Sequence, residues 1–271
     1  MQKLIDKASI LIEALPYIRA FYGKTIVIKY GGSAMMKESL KRDFASDVVL
    51  LKYIGINPIV VHGGGPQIEE VLKRLGRRDK PVFIDGMRVT DAETMEVVEM
   101  VLVGRINKEL VSLINQMGGA AVGLSGKDGG LIRARMMSKR LGLVGEVERV
   151  NPEILGSLLI GSEANLFIPV IAPVGVDAGG VTLNVNADTV AAKVAAATKA
   201  AKLVYLSDVE GVMDEDGRLI SSLKAREARA LIKRGVITGG MTPKVRCCLI
   251  ALKEGVGKTH IIDGRIRHAI L

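Results

Sequence analysis

Two lysine residues beside glycine pairs have the types and spacing to bind an anion. The stretch IVIKYGG places Lys29 near the end of an apolar, strand-like run, two residues before the pair Gly31 and Gly32. A second glycine pair precedes Lys244 in the stretch ITGGMTPKV. An ammonium group beside side-chain-free backbone amides suits a phosphoryl or carboxylate group. Each lysine by itself is also compatible with an exposed surface position, so the pair has to be judged with the rest of the sequence.

The position of Lys244 adds to this argument. It falls in the first turn of a predicted helix, where its positive charge opposes the helix dipole. A cation is stable there only at some cost, which indicates an anion close by.

A glycine-rich loop follows a second strand-like run. In IVVHGGGPQIEEVL the strand leads into Gly63, Gly64 and Gly65, and Pro66 occupies the first turn of the next helix. Glycines let backbone amides approach an anion, and the helix N-terminus adds its partial positive charge. One such loop also fits a plain tight turn, but two at the ends of different strands favour ligand contact.

Polar side chains end two further predicted strands. In TLNVNADTVAAKV, Asn184 and Asn186 precede Asp188, which falls in the first turn of an alanine-rich helix. Helix capping alone explains Asn186 and Asp188, whereas Asn184 lies outside the cap and is free to face a ligand. In LVYLSDVEGVMDEDG, Asp208 ends a strand and a hairpin follows around DEDG. No bidentate glutamate follows at calcium-loop spacing, so calcium is excluded there.

These residues are positioned by strands that alternate with helices. The runs TIVIKY, NPIVVHG, AAVGLSG, FIPVIAPVGV, KLVYLSDVEG and THIIDG resemble buried strands, and segments of helical period separate most of them. This pattern predicts an α/β fold with a mainly parallel sheet. The segment LIRARMMSKRLGLVGEVERV instead predicts short strands in an antiparallel insertion. Parallel sheets bind ligands at the carboxyl ends of their strands, where the glycine loops fall.

Composition narrows the classes of function. The 271 residues carry a formal charge of +9, but the cations are scattered and only 3% of the residues are aromatic, without tryptophan. Base-stacking surfaces are therefore excluded, and small anionic ligands are favoured over nucleic acid. The sequence contains no long apolar span and no signal peptide, which predicts a cytoplasmic protein that does not contact membranes.

Several other features are predicted to be structural. Cys247 and Cys248 are adjacent, so they cannot form a CxxC pair and are predicted to pack in the core. The stretch GVGKT at 255–259 lacks the first glycine of a P-loop and precedes a strand, so it predicts a turn that ends a helix. The histidines have no metal-ligand spacing, and no metal is assigned to protein side chains.

Taken together, the motifs resemble the amino acid kinase family. They are IKYGG, VHGGGPQI, GMRVTDAETMEVVEMVLVG, INK, VGLSGKDGG, IPVIAPVG, LNVNAD, LVYLSDVEGV and ITGGMTPKV. GMRVTD with LNVNAD is typical of the members that phosphorylate N-acetyl-L-glutamate in arginine biosynthesis. The resemblance implies a three-layer αβα sandwich around an eight-stranded, mainly parallel central sheet. It also implies an oligomerisation helix at 1–22, an acceptor-binding and dimerising lobe at 23–176 and a nucleotide-binding lobe at 177–271.

The same resemblance assigns roles to individual residues. Lys29 and Lys244 would flank the transferred phosphoryl group, and Asp188 would hold both lysines. Gly64 and Gly65 would receive the acceptor γ-carboxylate. The remaining assignments are Arg88 and Asn184 for the rest of the acceptor, and Gly31, Gly32, Asp208, Val209, Glu210, Gly211, Val212, Met213, Ile237 and Thr238 for the nucleotide.

The chemistry expected of such a site agrees with these residue types. A carboxylate acceptor is already an anion at neutral pH and needs no general base. Bringing it to a triphosphate requires cations and amides around the phosphoryl oxygens, with Mg²⁺ carried on ATP and no prosthetic group. Two alternatives remain open: another acceptor, such as aspartate, glutamate or a nucleoside monophosphate, and a ligand-sensing assembly protein without catalysis.

The predicted N-terminal helix resembles the arm of arginine-inhibited members of the family. In those proteins the arms interlace and join dimers into a hexamer, which implies a homohexamer with an arginine effector here. Such members continue past the final RHAIL with an acidic, glycine-rich segment, whereas this sequence stops at Leu271. We therefore expect either a truncated sequence or an incomplete arginine site.

Overall fold

Helices alternate with strands along most of the chain, as the hydrophobic periodicity predicts. The computed structural model describes residues 1–77, 81–84, 86–159 and 167–271. Its α-helices are α1 Gln2–Phe21, α2 Glu38–Tyr53, α3 Gly65–Arg74, α4 Ala92–Glu99, α5 Asn107–Gln116, α6 Glu153–Leu159, α7 Ala187–Ala197, α8 Ala225–Lys233 and α9 Met241–Lys253. Its strands are β1 Thr25–Tyr30, β2 Asn57–His62, β3 Phe83–Ile84, β4 Met87–Arg88, β5 Ala121–Ser125, β6 Ile132–Met136, β7 Val144–Val150, β8 Ile168–Ala172, β9 Val174–Val176, β10 Thr182–Val185, β11 Lys202–Ser207 and β12 Lys258–Asp263. Short 3₁₀ turns cover Gly32–Met35 and Asp128–Gly130, and a π-helical segment covers Met100–Ile106 between α4 and α5.

The central sheet is entirely parallel. Its six strands follow the order β12-β11-β1-β2-β8-β5, and each neighbouring pair is parallel. The predicted α/β class with a mainly parallel sheet is confirmed. The strand count differs from the prediction: within the described residues this sheet has six strands, whereas eight were expected.

The chain leaves the central sheet at Pro173, between β8 and β9. Proline cannot donate a ladder hydrogen bond, and β9 pairs instead with β10 and β6. Strands β6, β7, β9 and β10 form a small closed barrel. Within it β6 and β7 are antiparallel, so the predicted antiparallel insertion is confirmed.

Alternation along β1 separates two core layers. Ile26, Ile28 and Tyr30 point to the layer that contains α2, α4 and α5, and Tyr30 stacks on Phe44 with ring centroids 3.9 Å apart. Val27 points to the opposite layer, which contains α7 and α9. Because side chains alternate with a period of two, Lys29 lies on the same face as Val27 and is directed toward α7.

Several other predictions are confirmed by the fold. Cys247 and Cys248 are buried in the core layer of α7 and α9. Helix α9 ends at Lys253 before the turn at Gly255, and β12 begins at Lys258, so GVGKT is not a P-loop. None of the helices in the described ranges is long and apolar enough to cross a membrane.

Helix α1 contacts the core at its C-terminal end, where the partly buried Phe21 packs against the layer of α2, α4 and α5. It has no buried residue, and most of its large apolar side chains are exposed. The exposed set is Leu4, Ile5, Ile10, Leu11, Ile12, Leu15 and Tyr17. The predicted N-terminal helix is therefore confirmed, and its role as an oligomerisation arm stays a prediction.

Candidate active site

One carboxylate joins two lysines from distant parts of the chain. Asp188 Oδ2 accepts a hydrogen bond of 2.7 Å from Lys244 Nζ, and Asp188 Oδ1 lies 3.1 Å from Lys29 Nζ. Only 11% of the Lys29 side chain, 12% of Asp188 and 20% of Lys244 are exposed to solvent. The Lys29 contact is an ion pair without a directed hydrogen bond, because Asp188 Oδ1 has no partner with hydrogen-bond geometry. The group carries two positive charges and one negative charge.

The protonation of Asp188 is set by opposing effects. Burial disfavours the charged form, but the ammonium groups of Lys29 and Lys244 outweigh it and hold the pKa of Asp188 below its usual value. Asp188 is therefore ionised at neutral pH and remains the partner of both cations.

Helix α7 begins in a way that fixes Asp188. The side chain of Asn186 accepts hydrogen bonds from the backbone N–H groups of Asp188 and Thr189, at 2.9 and 3.2 Å. The hydroxyl of Tyr205 donates to the backbone oxygen of Asp188 at 2.8 Å. Asn186 is thus the N-cap, and the Asp188 side chain is left to bind the lysines.

A cavity of about 310 Å³ opens beside Lys29. It brings together four of the predicted acceptor residues, Gly64, Gly65, Arg88 and Asn184, and it also contains Gly32. Residues that the sequence reasoning did not select for this cavity include Met35, Glu69, Phe83 and Pro173. Lys29 lines this cavity, so one of the two cations that Asp188 bridges faces it. We call the three residues Lys29, Asp188 and Lys244 the Asp188 bridge.

Arg88 is held between a carboxylate and a ring. Its guanidinium donates to Glu69 Oε1 at 2.7 Å and lies 4.9 Å from the centroid of the Phe83 ring. Glu69 follows Gly65 by one helical turn, so helical spacing is a signal that could have found it.

Asn184 and Arg88 are connected through Thr90. The Asn184 side chain donates to Thr90 Oγ1 at 3.1 Å, and the Thr90 hydroxyl donates to the backbone oxygen of Arg88 at 2.9 Å. Thr90 is fully buried. Residues two apart in an extended segment share a face, so the spacing of Arg88 and Thr90 is the sequence signal that Thr90 lies on the same side as Arg88.

Three glycines of the two loops, Gly31, Gly32 and Gly64, are tightly confined. A Cβ atom on Gly31 would lie 2.8 Å from Lys29 Nζ, and one on Gly32, which has a φ of +69°, would lie 2.4 Å from Asp208 Oδ1. A Cβ atom on Gly64 would lie 2.4 Å from Ile106 Cδ1. A side chain at any of these positions would have to displace the end of a neighbouring side chain, and Gly32 is also favoured by its backbone conformation.

A buried histidine supports the triple-glycine loop. His62 is 0% exposed, its Nδ1 lies 2.9 Å from the backbone oxygen of Gly63, and its Nε2 lies 3.3 Å from Asn107 Nδ2. Burial lowers the pKa of His62 to about 4, so the ring is neutral at neutral pH. The sequence assigns His62 no metal-binding role and predicts no other, although a histidine inside an apolar strand is itself an unusual signal.

A second cavity, of about 410 Å³, lies beside Lys244. Six predicted nucleotide residues line it, namely Val209, Gly211, Val212, Met213, Ile237 and Thr238. Gly31, Asp208 and Glu210 are not part of its lining, and Gly32 lies at the first cavity. The Asp188 bridge thus has one lysine at each cavity.

No three His, Cys, Asp or Glu side chains gather into a metal-binding set within the described ranges. The residues at the two cavities include cations, amides, hydroxyls and apolar groups, and the carboxylate of Glu69 is paired with Arg88. This arrangement can neutralise phosphoryl oxygens and hold a carboxylate.

Two comparisons with known proteins, one with a family model and one with individual sequences, agree on the family. A family model described as the amino acid kinase family matches residues 24–263. Acetylglutamate kinase of Geotalea uraniireducens (strain Rf4) is 60% identical over 283 aligned positions, which cover 100% of this chain and 95% of that protein.

Solved structures with the same fold have other activities. N-acetylglutamate synthase from Neisseria gonorrhoeae, complexed with coenzyme A and N-acetyl-glutamate, is 25% identical with a TM-score of 0.82. The match covers 96% of this chain and 59% of that chain. The same synthase complexed with coenzyme A and L-arginine is 25% identical with a TM-score of 0.78, covering 94% and 59% of the respective chains. Carbamate kinase from Giardia lamblia bound to AMP-PNP is 16% identical with a TM-score of 0.65, covering 89% and 93%, and shows the fold alone.

Proposed function

The chain belongs to the amino acid kinase family, and on that premise we propose that it transfers the γ-phosphoryl group of ATP to the γ-carboxylate of N-acetyl-L-glutamate. The observation that carries the proposal is the Lys29–Asp188–Lys244 bridge, with one cation at each of two cavities. The identity of 60% to an acetylglutamate kinase over the full chain supports this choice of acceptor.

The acceptor cavity has the chemistry that N-acetyl-L-glutamate requires. Arg88 supplies a guanidinium for the α-carboxylate, and the side chain of Asn184 supplies an amide for the remaining polar groups. The amides of Gly64 and Gly65, at the N-terminus of α3, receive the γ-carboxylate at the end of the cavity nearer Lys29.

The nucleotide cavity supplies apolar surface and a cation. Val209, Val212, Met213 and Ile237 provide a place for the base and sugar, and Lys244 lies at the phosphate end. Mg²⁺ arrives with ATP as part of the substrate. In this proposal residues 23–176 form the lobe that carries most of the acceptor cavity, and residues 177–271 form the nucleotide lobe.

The reaction needs charge neutralisation and alignment. An oxygen of the acceptor γ-carboxylate attacks the γ-phosphorus, the bond between that phosphorus and the β,γ-bridging oxygen breaks, and ADP leaves. The products are an acyl phosphate and ADP, and no proton has to be removed from the ionised acceptor. Lys29 and Lys244 lower the repulsion between the two anions, and the amides of Gly31 and Gly32 add donors for the phosphoryl oxygens.

A direct assay tests the choice of acceptor. Purified protein with ATP and Mg²⁺ should release ADP when N-acetyl-L-glutamate is added, and hydroxylamine should trap the product as a hydroxamate. L-glutamate, L-aspartate and UMP should give kcat/KM values lower by about 100-fold or more, because they leave buried polar groups of the site unpaired. Absence of the hydroxamate with N-acetyl-L-glutamate would refute the proposal.

Arg88 separates this acceptor from the alternatives within the same fold. Arg88→Ala should raise the KM for N-acetyl-L-glutamate by about 10-fold or more and leave the KM for ATP nearly unchanged, because a charge-assisted contact is lost. The matched control is Arg74→Ala on the exposed face of α3, where the side chain is 72% exposed. An Arg88→Ala enzyme with an unchanged acceptor KM would favour another acceptor.

The proposal extends to assembly and regulation. The exposed apolar side chains of α1 suit an interface with other copies of this chain, and the proposed assembly is a homohexamer built from dimers. An arginine effector is supported by the related synthase, whose solved complex contains L-arginine. Initial rates measured with and without arginine test the effector, and light scattering tests the assembly.

A further inference from the structure

His62 is a buried titratable group that the proposed reaction does not use. It ends β2, has no exposed surface and contacts two polar partners. A buried imidazole needs partners for both ring nitrogens, and here they are the backbone oxygen of Gly63 and the side chain of Asn107.

The two partners determine the tautomer of the ring. The oxygen of Gly63 can only accept, so Nδ1 of His62 carries the hydrogen and donates it over 2.9 Å. The other nitrogen, Nε2, then accepts from Asn107 Nδ2 at 3.3 Å. Asn107 Nδ2 also donates to the backbone oxygen of Val170 on β8 at 2.9 Å, which fixes the amide orientation.

This hydrogen bond controls a peptide plane of the glycine loop. The Gly63–Gly64 peptide is trans, so the oxygen of Gly63 and the N–H of Gly64 point in opposite directions. Because His62 holds the oxygen toward the core, the N–H of Gly64 is turned away from the core. The preceding amide is fixed as well, since Gly63 N–H donates to Tyr30 O at 2.8 Å.

The π-helical segment places Asn107 for this task. Met100–Ile106 forms wider turns than an α-helix, and Asn107 follows as the first residue of α5. One extra residue in a turn rotates the following side chains by about 100°. The same segment directs Leu102 and Ile106 against Gly64, so the loop is held by packing and by hydrogen bonds.

From this geometry we infer that His62 and Asn107 are positioning residues, which turn the Gly64 amide toward the acceptor cavity. The series of hydrogen bonds runs from Asn107 through the neutral ring of His62 to the oxygen of Gly63. The inference rests on the proposed function, because the Gly64 amide is the group expected to receive the acceptor carboxylate. Neither His62 nor Asn107 contacts the substrate in this scheme.

Two substitutions of His62 test the hydrogen bond. His62→Asn places an amide N–H near the position of Nδ1 and can still donate to Gly63 O, whereas His62→Phe keeps a flat ring without a donor. His62→Phe should raise the KM for N-acetyl-L-glutamate by about 10-fold and leave the KM for ATP within about 2-fold, as expected for one lost orienting hydrogen bond. His62→Asn should stay within about 3-fold of the wild type for both substrates.

A second pair of variants keeps the test valid if His62→Phe does not fold. Asn107→Leu removes the donor to His62, and Asn115→Leu is its matched control on the same helix. Asn115 Oδ1 accepts from the backbone N–H of Ala121 at 2.7 Å, so this control also loses a side-chain hydrogen bond. Only Asn107→Leu should raise the acceptor KM, by about 3-fold or more.

The outcomes separate this inference from the proposed function. A wild-type protein that does not use N-acetyl-L-glutamate contradicts the proposed function. With an active wild type, the inference is overturned if His62→Asn and His62→Phe raise the acceptor KM equally, or if the His62→Phe enzyme keeps the wild-type value. Equal effects of Asn107→Leu and Asn115→Leu would overturn it as well.

Discussion

Lys244 Nζ lies 2.7 Å from Asp188 Oδ2, although the two residues are 56 positions apart in the chain. Each belongs to the first turn of its helix, α9 for Lys244 and α7 for Asp188. Asp188 is favoured at that position by the helix dipole, whereas Lys244 is not, and the ion pair offsets the unfavourable placement. The anion that the sequence pattern indicated near Lys244 is thus present within the protein itself.

Asp188→Asn tests the role of the shared carboxylate. The variant leaves two ammonium groups together without their counter-charge, so we expect kcat to fall by about 100-fold or more, as for the loss of an electrostatic group in a preformed site. We also expect a loss of about 3 kcal/mol in the free energy of unfolding, because a nearly buried ion pair loses one partner. Steady-state kinetics and chemical denaturation measure the two effects.

The matched control for this substitution is Asp216→Asn. Asp216 lies on the hairpin after β11, and its side chain is 68% exposed. Both kcat and stability should stay at wild-type values, since exposed ion pairs contribute little. Wild-type turnover by Asp188→Asn would show that the two lysines do not act through this carboxylate.

Adjacent glycines in the triple-glycine loop should respond differently to alanine. A Cβ atom on Gly64 would lie 2.4 Å from Ile106 Cδ1 and 2.6 Å from Leu102 Cδ2, whereas nothing lies within 4 Å of a Cβ atom on Gly65. Gly64→Ala should therefore cost about 1–3 kcal/mol of stability through overpacking and raise the acceptor KM. Gly65→Ala should keep the wild-type stability and acceptor KM. Thermal unfolding and acceptor titration distinguish the two variants. A Gly64→Ala variant with wild-type stability and acceptor KM would mean that the π-helical segment can shift to accommodate the added methyl group.

His62 should make the stability of the protein depend on pH. In the unfolded chain a histidine binds a proton near pH 6.5, whereas folded His62 remains neutral down to about pH 4. Between these values the unfolded state holds more protons, so the free energy of unfolding decreases as the pH is lowered. The contribution is complete above pH 6.5 and is reduced by up to about 3 kcal/mol at pH 4.

Comparison with His62→Asn isolates this effect from the other histidines. The difference in unfolding free energy between the wild type and the variant should shrink as the pH falls from 6.5 to 4. Urea denaturation at several pH values measures it. A difference that stays constant over this range would mean that His62 is protonated in the folded state as readily as in the unfolded chain.

Removal of residues 1–22 should affect assembly and leave the fold intact. None of the residues of α1 is buried, and the partly buried Phe21 is its contact with a core layer, so the buried side chains of both layers remain without it. We expect the shortened chain to keep its secondary structure and its turnover and to sediment as a smaller oligomer than the full chain. A shortened chain of unchanged assembly would contradict the role proposed for α1, and loss of folding would show that the arm packs on its own body.

The lysines and the carboxylate were predictable because their chemistry is visible in residue type and in position at strand or helix ends. Lys29 lies one residue before the end of a buried strand, and Asp188 follows an N-cap asparagine by two residues. The environment of Arg88 was less accessible to sequence reasoning. Phe83 is the cross-strand partner of Arg88 in the β3–β4 pair, whereas Glu69 contacts Arg88 from α3, and no local pattern places that helix beside the strand pair.

The strand count and the π-helical segment show a similar limit. The run FIPVIAPVGV was interpreted as one strand, but Pro173 divides it between the central sheet and the barrel. The segment around Met100–Ile106 has the hydrophobic period of a helix, and nothing in that period distinguishes a π-turn from an α-turn. In both cases the local sequence pattern fits more than one conformation, and the contacts of the folded chain are needed to tell them apart.

The shared carboxylate also determines when the cations are brought together. Lys29 belongs to an interior strand of the sheet and Lys244 to an outer helix, yet folding alone assembles them around Asp188. Their mutual repulsion is overcome once, as the polypeptide reaches its native state, and not in each catalytic cycle. In the proposed reaction, the electric field that meets an incoming triphosphate is consequently preorganised, and neither side chain has to be recruited from bulk water before transfer.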